Sequence, residues 1–595
     1  MRLGVDTGGT FTDLVAEDGR VVKVSSTPDA PARAVRDAVG RVARRPALLA
    51  HGTTVATNAL LERRGGTVAL VTTRGFADVV EIARQTRPSL YDPHVDRPPP
   101  LVDRPLRLEV DGRLDGRGRE LVPLDAAGVP TVPDGVDAVA VSLLHADLDP
   151  THERAVAAVL RERGLDVTCS HEVSPEFREY ERTVTTVANA LLRPVCRDYL
   201  RALTDLADEV LIMTSAGGLL PAAEGAELPA ALLLSGPAGG VGAAAAVAAA
   251  CGYPDAVSFD MGGTSTDVCL VQRGVPAPAP SRLVAGYPIR LPALDVHTIG
   301  AGGGSVARLD AGGALVVGPR SAGAVPGPAC YGRGGREPTV TDADLALGRI
   351  DPDATFPDLG RLDAKRARAA LDGAGVAAAG VLAVVDTAME EAVRAVTVAR
   401  GVDPRQLALV AFGGAGPLHG CAVADALGMP VVVVPPRAGA LSAVGLLASP
   451  RRRELVRSWP TPADPRGVDA ALRALGAEAA ALVGAGAAVE TALDCRYEAQ
   501  SHELTVPSVA AFPAEHERRN GYVRPGIPVE VVALRARATR AAPLRVEELP
   551  PVERSQVCGP QVVAEADCTV WVPDGWLATP GPLGAWLLRR RGGAR

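Results

Sequence analysis

The sequence predicts a duplicated α/β protein with an α+β segment at its C-terminus, and three observations predict it. The string DTGGTFTD at Asp6 to Asp13 returns as DMGGTSTD at Asp260 to Asp267, each time behind a short apolar run, LGV or AVSF. β-branched runs alternate with helical periods through about residue 185, and the same rhythm restarts in EVLIMTSAGGL, AVSFDMGG and TDVCLV. From about Arg451 the chain turns Ala-rich and helical, then strand-like in DCRYEAQSHELTVP and PVEVVALRARATRA. The expected divisions are 1–185, 186–450 and 451–595.

Taken in order, RLGVDTG, VVKVSS, TVALVTT and AVAVSLL read as strands, with helices over 30–44, 54–64 and 151–163. The long helical period of 172–207 is expected to link the two halves, as a hinge if they rock. In the second half, two Gly/Pro-rich stretches begin at Ile299 and Pro319. They are spaced by strand-like runs and are expected to form tight loops near a site. The C-terminal segment looks trimmed between PVEVVALRARATRAAP and VEELPPVERSQVCGP.

The 595 residues, 47% hydrophobic and 22% charged, suit a globular chain of several domains. A net charge of -7 and arginines without a stripe leave no footprint for nucleic acid. Lysine occurs only at Lys23 and Lys365, so no Gly-Lys-Ser/Thr phosphate loop exists. Nine cysteines without a C-x-x-C pair point to reduced thiols. The start MRLGVDTGG is unlike a signal peptide, and the tract VGAAAAVAAACGY is shorter than the ~20 residues of a membrane span. A cytoplasmic protein with no membrane contact is expected.

The repeated string is what a hairpin needs to wrap a phosphate. Gly8, Gly9, Gly262 and Gly263 let backbone N–H groups approach an anion, and the hydroxyls of Thr7, Thr10, Thr12, Thr264 and Thr266 add donors. Asp6 and Asp260 would hold Mg2+, which bridges carboxylates to phosphates. The plainer alternative, two tight turns, is weakened by recurrence at corresponding places. A third loop, VAFGGAGPLHG, places Gly413, Gly414 and Gly416 after an apolar strand, as a nucleotide base or ribose seat would require. His419 within it reads as a packed histidine more readily than as a ligand.

Together the two loops and FGGAG resemble the actin-like ATPase superfamily, with its duplicated ribonuclease H-like domains. HGTTVATNALLERRG, SGPAGGVGA, DVHTIGAGGGSVA, SAGAVPGPACYGRGGREPTVTDADLALGR and AFGGAGPLHG resemble the hydantoinase A/oxoprolinase family from Met1 to about Pro450. That resemblance implies an ATP-dependent amidohydrolase subunit. It would phosphorylate a cyclic amide such as a hydantoin or 5-oxoproline and work in a hetero-oligomer with a B-type partner. The carboxylates expected to orient the acceptor or take its proton are Asp260 and Asp13, with Asp267 behind them. His51, Thr53, Thr54 and Asn58 of HGTTVATN are expected to line a cleft. Asp295 and His297 would either pair as a supported base or simply alternate along a strand. Cys330 reads as structural. Two rivals share the loops: the ATP-binding subunit of a ketone carboxylase, and a non-catalytic nucleotide sensor.

Overall fold

A computed structural model describes residues 1–592 other than 28, 357 and 358. The chain opens with three antiparallel strands, β1 (Arg2–Thr7), β2 (Phe11–Ala16) and β3 (Val21–Ser25). A parallel strand, β4 (Leu48–Thr53), then runs into helix α1 (Val55–Leu61). The 23-residue helix α2 (Glu179–Arg201) and strand β5 (Glu209–Met213) complete this half, whose strand order is β3-β2-β1-β4-β5. An all-parallel sheet of four strands (Val167–Cys169, Ala138–Ser142, Val68–Thr73, Arg107–Val110) is inserted between α1 and α2.

The second half repeats the plan. Helix α3 (Gly236–Ala250) leads into the hairpin of β6 (Ala256–Met261) and β7 (Thr266–Gln272), and β8 (His297–Ile299) pairs with β7. Then come β9 (Ala408–Phe412), α4 (Gly416–Leu427) and β10 (Val432–Val434). The order β8-β7-β6-β9-β10 has the directions of the first half: antiparallel through the hairpin, parallel beyond it. This is the duplicated actin-like fold. Helix α5 (Leu441–Leu447) crosses α3 between the halves, α5 lying on β1 and α3 on β6. The crossing is close: a Cβ added at Gly445 would stand 1.8 Å from Gly239 O, and one at Gly4 would stand 2.1 Å from Ala443 O.

Two expected boundaries move. Helix α2 is no exposed connector, because Val184, Val187, Leu192 and Leu200 are buried in the core that Leu3, Val5 and Leu14 share. Such a helix cannot act as a free hinge, and the first half extends through β5. The C-terminal part splits as well. Strand β11 (Arg451–Ser458), helix α6 (Val468–Val483), β12 (Ala488–Tyr497) and β13 (Val529–Arg540) enclose a core of their own, with Leu475, Leu493, Phe512 and Leu534. Yet β11 also pairs with Leu219–Pro221 and so continues the first-half sheet to ten strands. The last two strands, β14 (Trp576–Pro580) and β15 (Trp586–Arg590), go the other way, β15 pairing with β10. The reason is edge satisfaction: Leu219–Pro221 and β10 would otherwise present unpaired backbone groups. Among the described residues no single helix is long and apolar enough to cross a membrane.

Candidate active site

Register sets the site. In the first hairpin Asp6 stands opposite Asp13 and Thr7 opposite Thr12; in the second Asp260 stands opposite Asp267 and Met261 opposite Thr266. Alternation along a strand therefore puts both aspartates of each hairpin on one face and the threonines on the other. Each row extends sideways. Lys23 on β3 lies opposite Asp13, with its Nζ 2.5 Å from Asp13 Oδ1, and Gly52 on β4 lies opposite Asp6. In the second row Thr298 on β8 lies opposite Asp267 and its hydroxyl donates to that carboxylate, while Phe412, followed by Gly413, lies opposite Asp260. The two glycines make room for the carboxylates: an added Cβ would stand 2.6 Å from Asp6 Oδ1 at Gly52 and 2.3 Å from Asp260 Oδ1 at Gly413.

The rows face one another, and their charges interact. Burial raises Asp6 to about 7, with Asp13 adding to the shift and Lys23 opposing it. Asp13 is also raised by burial, against the pull of Lys23. Asp260 is raised well above the carboxylate range by burial, then by Asp267, Asp6 and Asp13. Asp267 is raised by burial to about 6, while the Thr298 hydrogen bond works the other way. Four carboxylates thus converge with one lysine in a desolvated place. Such a site fits a divalent cation, which would stabilise the charged forms that burial disfavours.

The hairpin tips are open. Gly9, Gly263 and Thr264 are exposed, and Gly8, Thr10 and Gly262 are half-buried. Gly8 N and Gly262 N close the turns, donating to Phe11 O and Ser265 O at 3.0 Å. The N–H groups of Gly9, Thr10, Gly263 and Thr264 make no hydrogen bond among the described residues, so four donors are available to an anion. Thr7, Thr12 and Thr266 are not: all three are buried on the opposite face. The Thr12 hydroxyl meets Ser26 Oγ at 3.1 Å, and that of Thr266 donates to Ala301 O at 2.6 Å. Of the five threonines only Thr10 and Thr264 carry their hydroxyls at the tips, where Ser265 adds one more.

The Gly413 loop is locked to the second hairpin. Ala415 N donates to Met261 O and Gly413 N to Ala438 O, both at 2.9 Å, and Gly413 has φ +80°. Gly414 is open, and Gly416 is buried as α4 begins. Topologically this loop is the counterpart of Gly52–Thr54, since both connect the strand parallel to a hairpin with the following helix. The two loops share only a glycine, so the correspondence is invisible in sequence.

Several expected cleft residues lie elsewhere. His51 is fully buried on β4, its Nδ1 2.8 Å from Val5 O and its Nε2 2.6 Å from the Tyr199 hydroxyl. Burial pushes it down to about 4, so it is a neutral packing residue with no cleft to line. Thr53 is buried too and accepts from Val55 N at 3.2 Å. Thr54 is half-buried with its hydroxyl on Thr7 O at 3.3 Å, and Asn58 is exposed on α1. Asp295 pairs with Arg400 and not with His297, which is exposed. Of the DVHT string it is Thr298 that reaches the site. His419 is buried between Asp386, 2.7 Å from Nδ1, and Asp344, 3.3 Å from Nε2. Burial alone would lower it, but the two carboxylates carry it up to about 10. Cys330 is buried, and burial raises its thiol.

Lys23, Thr298 and Gly52 were missed. The rarity of lysine was a usable signal for Lys23, but only strand register shows its partner. The glycine-rich stretch from Ile299 does flank the site: Gly303 N and Gly304 N donate to Gly262 O and Gly263 O at 3.0 and 2.7 Å. A Cβ at Gly302 would lie 2.8 Å from Thr264 N.

The N-terminal-region model of the hydantoinase/oxoprolinase family matches residues 2–164, and the hydantoinase/oxoprolinase model matches residues 182–454. The caprolactamase subunit alpha of Pseudomonas jessenii is 35% identical over 687 aligned positions, covering 99% of each chain. A 5-oxoprolinase of Arabidopsis thaliana is 35% identical over 75% of this chain but only 41% of its own length. The acetophenone carboxylase gamma subunit of Aromatoleum aromaticum is 34% identical over 74% of this chain and 67% of its own. The crystal structure of the ATP-dependent caprolactamase from Pseudomonas jessenii superposes with a TM-score of 0.83 at 30% identity, over the whole of both chains.

Proposed function

Because this chain belongs to the hydantoinase/oxoprolinase family, we propose that it is an ATP-dependent subunit that phosphorylates the amide oxygen of a cyclic amide, preparing the ring for opening with a B-type partner. The observation that carries this reading is the pair of facing hairpins, with four raised carboxylates, one lysine and four free N–H donors. Relatives named for caprolactam and 5-oxoproline supply the substrate class. The unpaired cysteines, most of them buried, suit a reducing cytoplasm.

In this reading Asp6 and Asp260 hold Mg2+, which when bound neutralises phosphate oxygens. The N–H groups of Gly9, Thr10, Gly263 and Thr264 bind the phosphates from opposite sides, and the Gly413–Gly416 loop seats the nucleoside. Lys23 opposes the burial that raises Asp13 and offsets charge developing on the transferred group. The amide oxygen forms the new bond to the γ-phosphorus as the bond to ADP breaks, the electron pair leaving with ADP. In this reading Asp267, held by Thr298 and raised to about 6, takes the ring N–H proton, with Asp13 as the other candidate base. Thr54, just before α1 with its hydroxyl on Thr7 O, and Asn58, exposed on that helix, are the residues this reading assigns to the substrate side.

The 34% identity to a carboxylase gamma subunit supports a second reading, in which a ketone enol oxygen accepts the phosphoryl group. ADP release by the chain co-expressed with its genomic neighbour separates the two, across hydantoins, 5-oxoproline, larger lactams, and ketones with bicarbonate. Release stimulated by one cyclic amide and abolished by Asp260→Ala supports the first reading. Stimulation by a ketone supports the second, and equal slow release with every compound points to a nucleotide sensor.

A further inference from the structure

A cavity of about 940 Å3 lies away from both hairpins, where the four-stranded sheet, α2 and β11 meet; none of its lining residues belongs to the nucleotide loops. That volume suits a small-molecule site. Its walls are apolar in places, including Leu220, Leu291, Pro292, Leu455 and Val456, and they carry an unusual number of charges.

Almost all of those charges are spoken for. Arg193 pairs with Asp166 at 2.9 Å and Glu227 at 2.6 Å, Arg453 pairs with Glu224, and Arg161 meets Glu172 at 3.5 Å. Glu176 pairs with Arg290 at 2.6 Å, and Glu454 with Arg537 at 3.2 Å. Arg452 is the exception. Its Nη1 donates to Ala216 O at 2.8 Å, its Nε is buried with no partner, and no carboxylate lies within ion-pair distance of it among the described residues. Burial lowers its pKa and the like charge of Arg537 lowers it further, while Glu454 and Glu490 oppose the shift from beyond ion-pair distance without cancelling it. A guanidinium left this way on a cavity wall is under-neutralised. Its planar fork matches one anion above others, a carboxylate held by two parallel hydrogen bonds.

We propose that this cavity binds a small organic acid, its carboxylate on Arg452 and its hydrocarbon body against Leu291, Pro292 and Val456. Two sources share that chemistry: the amino acid formed when a cyclic amide is opened, and a plain aliphatic or aryl acid. The first source rests on the function proposed above; the site itself does not. A phosphate ion fills only the polar end and leaves the apolar walls uncovered, so it is the weaker ligand.

The test is isothermal titration of the full chain, without nucleotide, with hexanoate, phenylacetate, 6-aminohexanoate, hexylamine, hexanamide and inorganic phosphate. Wild type is compared with Arg452→Gln and Ala231→Phe, the latter filling the cavity from its wall while leaving the arginine in the chain. Circular dichroism and melting verify that each variant is folded. The expected result is saturable binding of at least one carboxylate, weakened about tenfold or more by each variant, with phosphate, amine and amide weaker by a similar factor. Preference for 6-aminohexanoate identifies a product site; preference for hexanoate or phenylacetate identifies an acid unrelated to ring opening. No carboxylate binding, binding untouched by both variants, or phosphate binding as tightly as the acids overturns the proposal. Because the readout is binding without ATP, failure here leaves the cyclic-amide reading standing, and failure of that reading leaves this one standing.

Discussion

At the scale of single residues, Asp6 works against the fold that holds it. Its folded pKa, about 7, lies above the ordinary 3.8, so the folded state favours the protonated form. The stability associated with that proton is fully present below about pH 4 and is lost as pH rises through 7. Asp6→Asn keeps the shape and removes the charge. The variant is therefore expected to gain steadily on wild type as pH rises from about 4 to 7, standing several degrees above it at pH 8 without nucleotide, while losing ADP release. Melting curves from pH 5 to 8 check this, and a difference that stays flat over the range would falsify it. Lys23 acts in the opposite sense as the only cation ion-paired to the four carboxylates among the described residues. Lys23→Gln is expected to lower substrate-stimulated ADP release about a hundredfold with the chain still folded. The asymmetry between the halves is chemical as well: the place of Lys23 is taken in the second row by Thr298, so one hairpin carries compensating charge and the other only a hydrogen bond.

At the scale of elements, each carboxylate depends on the glycine of a neighbouring strand. Gly413→Ala would thrust a methyl group onto Asp260 Oδ1 and Met261 O, at a φ of +80° that alanine resists. An added Cβ at Gly414 meets nothing within 4 Å. ADP release is expected to fall at least about a hundredfold in the first variant and to change less than about threefold in the second. Equal losses in the two would show that the loop tolerates no side chain anywhere and that the Asp260 contact is not the cause. The α3–α5 crossing is the other element-scale constraint. Gly445→Ala is expected to destabilise the chain by about 3 kcal/mol or more in urea unfolding, because the obstacle is the Gly239 carbonyl, which cannot rotate away.

At the scale of the whole molecule, the C-terminal residues close the sheets of both halves. A chain ending at Arg540 lacks β14 and β15 and leaves β10 as a bare apolar edge of Val432, Val433 and Val434. It is expected to be insoluble or to melt well below the full chain, although both hairpins, their paired strands and the Gly413–Gly416 loop remain. Soluble, wild-type-like melting of that truncated chain would refute the edge argument. All four tryptophans, Trp459, Trp571, Trp576 and Trp586, lie beyond residue 450. Intrinsic fluorescence therefore follows the C-terminal part and reports loss of β14 and β15 directly.

The sequence by itself determined the duplication, the two Gly-Gly-Thr hairpins and the identity of their aspartates, because those features are local: a turn of Asp-x-Gly-Gly-Thr has its geometry written in consecutive residues. It also marked the glycine-rich stretch from Ile299 as close to a site. Only the tertiary structure decided which side chains meet there. Thr12 and Thr266 turn away because strand alternation opposes them to Asp13 and Asp267, His51 sinks beneath Tyr199, and Asp295 goes to Arg400 in place of His297. Lys23, Gly52 and Thr298 arrive by cross-strand register between segments tens of residues apart, which no spacing along the chain encodes. The fate of 451–595 was likewise settled by distant edges, since the need of Leu219–Pro221 and Val432–Val434 for hydrogen-bond partners is a property of the assembled sheets.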